Sequence, residues 1–218
     1  MKERGMIFNG EMVRAILDGR KTQTRRIVKG TDGAVKFCKE WDINGEEIFV
    51  VLGEKDRTGM NPVLGAISCP FGAVGDRIWV RETFQGPLFD YDLMDSYCKD
   101  PTPFEKPEFC VYKADGVPAP EFYDADDELH CCWRPSIHMP RWASRILLDI
   151  TNVRVERLKS ISDGDALREG CSTADMKSGD CVADVFARLW ASIYGAESWN
   201  ANPWVWVIEF KRVEGGTA

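Results

Sequence analysis

The chain has 218 residues, 44% of them hydrophobic and 29% charged, with a formal net charge of −7. That length and composition suit one large domain, or a small domain with a long insertion, and give core enough to need no covalent staple. The acidic balance excludes a protein that binds nucleic acid with its whole surface, but leaves room for a local basic cleft.

No apolar run approaches the roughly 18 residues of a membrane span. The opening Met-Lys-Glu-Arg has none of the apolar stretch of a signal peptide. A cytoplasmic protein away from membranes is therefore expected, with its eight cysteines mostly reduced.

In chain order, the first predicted element is a short helix. Asn9 is placed to cap it, Phe8 to staple onto Val13, and Met12, Val13, Ile16 and Leu17 recur at helical spacing. Gly19 stands where a helix ends. Arg20, Lys21, Arg25 and Arg26 follow at once, and the stretch reads as a loop that leaves their side chains free. Between 30 and 75 lie loops and short strands, with "EEIFVVL" the strand candidate. "GDRIWVRETF" predicts a strand with Ile78 and Val80 on one face, Trp79 and Arg81 on the other.

Residues 86 to 140 change character. Prolines recur, acidic residues gather at 124 to 128, and periodicity is poor apart from "FCVYKA". This segment reads as an irregular insertion in a single domain spanning 1–218. Regular signals return at "SRILLDITNVRVERL", which suits one long or bent strand. "SISDGDALREG" predicts a short helix with Ser162 and Asp165 as a capping box and Gly170 at its end. Val182, Val185, Phe186, Leu189, Trp190 and Ile193 mark an amphipathic helix from about Cys181 to Tyr194. After "GAESWNANP" comes an alternating terminal strand, "WVWVIEFKRV". Strands around a few short helices, without a βαβ rhythm, give the α+β class with a small barrel-like sheet.

At "GRKTQTRR" the residues resemble the signature of ASCH domains, a Gly-x-Lys followed by a spacer and an Arg. The acidic residue of that signature is Thr24 here, which is similar to the subgroup of small bacterial N(4)-acetylcytidine amidohydrolases. "GDRIWV", "SISDGDALREG" and "VWVIEFKRV" resemble further stretches of the family in the same order. The insertion and "MPRWASRI" resemble the larger, phage-type members. The resemblance covers roughly 10 to 28, 75 to 84 and 141 to 213. It implies a PUA-like small β-barrel with flanking helices, and it carries the subgroup's catalytic Lys, Thr and Glu onto Lys21, Thr24 and Glu169.

The residue types allow that chemistry. A threonine hydroxyl attacks only when a base takes its proton. Lys21 can be that base if burial and the neighbouring Arg20, Arg25 and Arg26 lower its pKa. Glu169 can orient the lysine or pass a proton to the leaving amine. Thr22 rivals Thr24, and the simpler reading of the cations is a solvated run at a helix C-terminus. Arg20, Arg25 and Arg26, with Arg81, Arg141, Trp142 and Arg145, are candidates to contact substrate, since arginine holds phosphate while an indole stacks on a base. Rim charges and half-buried packing are the competing reading. Cys110, His130, Cys131, Cys132 and His138 suit zinc by type but not by spacing, so neither metal nor cofactor is expected.

The leading expectation is hydrolysis of an amide on a modified nucleoside or base, N(4)-acylated cytidine first. The alternative is a module that binds RNA or a modified base without turnover, and a weaker one is a ribonuclease.

Overall fold

The computed structural model describes residues 1–123 and 128–213. The acidic stretch at 124 to 128 therefore lies outside the described residues, Glu128 excepted.

The chain begins with β1 (Glu3–Ile7) and α1 (Gly10–Leu17). The helix starts as the sequence predicts: Asn9 Oδ1 accepts from the Met12 amide at 2.8 Å, and Phe8 and Val13 are both buried. It stops at Gly19, whose φ of +75° is cheap only for glycine. The basic stretch that follows is not a loop. It forms β2 (Gln23–Ile27), and Lys21, Thr24 and Arg25 are buried. The expectation of free side chains failed because the strand's partners come from far along the chain.

Next come β3 (Lys36–Trp41), β4 (Glu47–Leu52), β5 (Val63–Ile67), β6 (Arg77–Arg81) and β7 (Phe84–Gln85). Residues 86–140 hold α2 (Met94–Lys99), β8 (Val111–Tyr112), β9 (Glu121–Tyr123), β10 (Leu129–Cys131) and several single 3-10 turns. The long strand is β11 (Leu147–Arg157), followed by α3 (Asp163–Arg168), α4 (Val182–Tyr194), α5 (Ala196–Asn200) and β12 (Trp204–Arg212). Helices and sheets are mixed along the chain, the α+β class. The sheets are open, and no closed barrel is formed among the described residues. None of the described helices is long and apolar enough to cross a membrane.

The residues cluster into two compact units. One comprises 1–2, 19–76 and 149–211. In it β11, β12 and β2 are neighbours in that order, and β12 runs antiparallel to β2 with Trp206 opposite Arg26, Val207 opposite Arg25 and Ile208 opposite Thr24. A second antiparallel sheet is built from β3, β4 and β5. Four successive residues of β12, Val205 to Ile208, are buried, so this strand is covered on both faces. Val205 and Val207 pack with Phe186 and Trp190 of α4 and Ala166 of α3. Trp206 meets Phe49 of β4 edge-on at 5.0 Å. Ile193, expected on the buried stripe of α4, is 46% exposed, because the stripe ends one turn before the helix does.

The other unit comprises 3–18, 77–148 and the described part of 212–218. β1 runs parallel to β6, Glu3 opposite Arg77 through Ile7 opposite Arg81. Ile78 and Val80 are buried, and Arg81 lies over the Trp79 ring at 5.4 Å, so β6 alternates as its sequence predicts. Phe84, Tyr112, Met139 and Ala143 form a small core with Trp142 packed against it. The Tyr112 hydroxyl donates to the Ala143 carbonyl at 2.8 Å.

Candidate functional site

The site grows from the segment 21–27. The ladder between β2 and β12 extends past Gln23, where the Phe210 amide donates to the Thr22 carbonyl at 2.8 Å. On the other side the Thr22 amide donates to the Arg168 carbonyl at 2.8 Å, and Lys21 bridges Glu169. The basic stretch is thus held between β12 and the end of α3. The helix end is itself fixed. Ser162 and Asp165 form the expected capping box, and Glu169 is the C-cap, followed by Gly170 at φ +94°.

Strand alternation then sorts the side chains. Lys21, Gln23 and Arg25 point to the face covered by α3 and α4. Lys21 Nζ donates to Glu169 Oε2 at 2.8 Å and to the Glu169 carbonyl at 2.9 Å. Gln23 Nε2 donates to the Asp165 carbonyl at 3.0 Å. Arg25 Nη1 donates to Glu169 Oε1 at 3.0 Å, and Nη2 lies 3.4 Å from Glu156 and 3.6 Å from Asp165. The guanidinium also sits 5.8 Å from the Phe186 ring centre. Lys21, Arg25 and Glu169 are 2%, 2% and 3% exposed, so this is an ionic cluster inside the protein. Arg154 closes it by binding Glu156 at 2.6 Å and also Glu209.

Thr24 and Arg26 point to the opposite face, with Trp206 and Ile208. Arg26 Nη1 donates to Thr24 Oγ1 at 3.0 Å, and Thr24 is buried. No hydrogen bond joins Lys21 Nζ to Thr24 Oγ1 among the described residues. Arg20 is exposed and donates to the Gly170 carbonyl at 3.2 Å. The structure therefore brings Lys21 and Glu169 into direct contact and sets Thr24 on the strand that follows Lys21, with its side chain on the opposite face.

No family model, curated protein or solved structure matches the chain. What the site can do is read from its own electrostatics. Burial lowers the Lys21 pKa, outrunning the charge and hydrogen bond of Glu169 that raise it, and the Arg26 charge adds to the lowering. Cys171, two residues beyond Glu169, is pushed up to about 11 by burial and by the Glu169 charge. It is a protonated, unreactive thiol at neutral pH. A desolvated lysine within hydrogen-bond reach of a carboxylate, 2.8 Å away here, is the arrangement in which perturbed proton affinities are found. Two buried atoms on the same face, Gln23 Oε1 and Arg25 Nε, make no hydrogen bond.

The remaining candidates lie in the other unit. Arg145 binds Glu82 through Nε and Nη2 at 3.0 and 3.1 Å and Asp115 at 2.6 and 2.9 Å, and lies 3.9 Å over the Tyr112 ring. Arg141 Nε donates to Glu3 at 3.0 Å. Arg81 donates to the Ile137 carbonyl. Glu82, unnoticed in the sequence, is buried and lines a cavity of about 500 Å³ together with Phe8, Asn9, Arg14 and Lys113. Burial raises the Glu82 pKa despite the Arg145 charge. None of the ten candidate catalytic or substrate-contact residues from the sequence lines that cavity. Of the residues that suit zinc by type, His130 stacks on Phe122, Cys110 Sγ donates to the Lys106 carbonyl, and Cys131 Sγ donates to the Ala119 carbonyl. The described residues contain no group of three or more metal-ligating side chains.

Asp165 and Glu156 are the members that sequence reasoning missed at the Lys21 site. Asp165 was legible only as a helix cap, and Glu156 carried no local signal at all.

Proposed function

We propose that this chain is an ASCH-type, PUA-like protein that hydrolyses an amide on a modified nucleoside, N(4)-acylated cytidine first among them, with Lys21, Thr24 and Glu169 as its catalytic set. The observation that carries this reading is the buried Lys21–Glu169 pair, 2.8 Å apart and built where the chain resembles the amidohydrolase signature. A fully buried ammonium is costly to maintain, and a lysine kept there with a lowered proton affinity suits acid–base work.

The chemistry balances without a redox partner. Thr24 Oγ attacks the acyl carbonyl while its proton passes to the Lys21 amine. The C–N bond breaks as the cytidine N4 takes a proton from the Lys21–Glu169 pair. Water then cleaves the threonyl ester and releases the carboxylic acid. Catalytic hydrogen bonds often close only with substrate bound; because Lys21 and Thr24 lie on opposite faces of the segment, transfer from Oγ1 to Nζ requires the segment to rearrange around substrate. Arg26, already on Thr24 Oγ1, would stabilise negative charge developing beside it.

The test is incubation with N(4)-acetylcytidine, followed by chromatography for cytidine. Turnover by the native chain supports the proposal, as does loss of about 100-fold or more in Lys21→Arg, since arginine keeps the charge but does not act as a base near neutral pH. Near-full turnover in Lys21→Arg would remove the base role. Binding of short RNA without turnover would replace the enzyme by a binding module.

A further inference from the structure

Arg25 adjoins Lys21, Thr24 and Arg26 in sequence, yet its surroundings set it apart from a substrate contact. Its side chain is wholly buried, and its terminal nitrogens face protein carboxylates: Glu169 from the end of α3, Asp165 from within α3, and Glu156 from β11. Phe186 of α4 covers the guanidinium. Glu169 in turn is faced by Lys21 and Arg25 from the β2 segment and by Cys171 beyond α3. Each oxygen of the Glu169 carboxylate therefore has one cation: Oε2 has Lys21 and Oε1 has Arg25. A carboxylate held at one oxygen can swing about its last bonds. One held at both, by donors four residues apart on the segment 21–25, has its plane fixed.

We propose that Arg25 is a positioning residue that orients the Glu169 carboxylate so that Oε2 and the Glu169 carbonyl stay on Lys21 Nζ. This assigns Arg25 to the protein's own acid–base pair instead of to substrate. The proposal rests on the amidohydrolase reading for its kinetic arm only.

Two measurements on Arg25→Gln and Arg25→Lys test it. The first needs no activity: the side-chain N–H signals of Lys21 in the NMR spectrum. In the native protein burial and two acceptors should protect them. Arg25→Gln should speed their exchange with water at least tenfold, and Arg25→Lys, which reaches Glu169 with one donor, should speed it less. The second is the split between kcat and KM on N(4)-acetylcytidine. A misaimed catalytic pair should lower kcat by roughly 100-fold at unchanged KM in Arg25→Gln, with partial recovery in Arg25→Lys. A raised KM with kcat intact would make Arg25 a substrate contact and overturn the proposal. So would unchanged Lys21 exchange in the folded variants. If Arg25→Gln fails to fold, Arg25→Lys decides by the same two criteria. If the native protein does not turn over the substrate, the functional reading fails while the exchange measurement still judges the positioning role.

Discussion

Replacing Glu169 by glutamine should destabilise the fold more than replacing Lys21 by methionine. Among the described residues, Glu169 is the carboxylate that touches both buried cations, at 2.8 and 3.0 Å. Its loss leaves the Lys21 ammonium, with no exposed side-chain surface, without a counter-charge. Arg25 falls back on Asp165 and Glu156 at 3.6 and 3.4 Å. Stripping one partner from a buried ion pair costs about 3–5 kcal/mol. Lys21→Met instead removes the charge that is hardest to bury and keeps the methylene packing. It leaves Glu169 on Arg25 and takes a donor from the Glu169 carbonyl and Oε2, a loss of about 1–3 kcal/mol. At roughly 2–4 °C per kcal/mol for a chain of this size, Glu169→Gln should lower Tm by about 6–20 °C. The assay is urea unfolding followed by tryptophan fluorescence, with the double variant closing a cycle whose coupling should exceed about 1 kcal/mol. Glu169→Gln within about 1 kcal/mol of native, or less destabilising than Lys21→Met, would refute the premise that both cations depend on this carboxylate.

Further outcomes follow from the same geometry. Lys21 holds its proton less tightly folded than unfolded, where its value is near 10.5. Stability should therefore rise with pH from the folded value up to about 10.5, because the unfolded chain binds more protons there. Unfolding curves of Lys21→Met should lack that rise, and parallel pH slopes would contradict it. Cys171, buried and held protonated, should alkylate far more slowly at pH 7.5 than exposed Cys98 or Cys132, as peptide mass spectrometry would resolve. Ser162→Ala removes the cap whose hydroxyl accepts from the Asp165 amide at 3.1 Å. It should cost about 0.5–2 kcal/mol and lower turnover as well, since the same helix ends in Glu169. Gly19→Ala meets no atom within 4 Å, so its cost in thermal unfolding should be only that of the positive φ, about 1–2 kcal/mol.

Elements whose signals are local were legible in the sequence. Asn9 and Gly19 bracket α1, and the box of Ser162 and Asp165 starts α3, because capping bonds span three residues. The alternation of Ile78 and Val80 marked β6 for the same reason. The basic stretch was not legible. Four cations around polar residues argue for a solvated loop, and what overrules them is distant: β12 pairs from 205–209, while Glu156, Asp165 and Glu169 supply the counter-charges. β1 and α5 were missed too. The first is polar and short with its partner at 77–81, and the second is five residues hidden among turn formers. Lys21 and Glu169 were paired in advance by resemblance, whereas the roles of Asp165 and Glu156 became visible only once the strands were laid side by side.

The alternation along β2 also limits how this segment can change in length. Lys21 and Arg25 meet the carboxylates and Gln23 the Asp165 carbonyl, while Thr24 and Arg26 meet the other side. Deleting or inserting a single residue here would exchange the two sets. Thr24 would then face Glu169, Arg25 would be pressed against Trp206 and Ile208, and the paired contacts of Lys21 and Arg25 on the Glu169 carboxylate would be lost together. Tolerated length changes in this stretch should come in pairs, while single-residue shifts should be purged even where every side chain is kept. A library of insertions scored for soluble expression would show that even–odd rhythm directly.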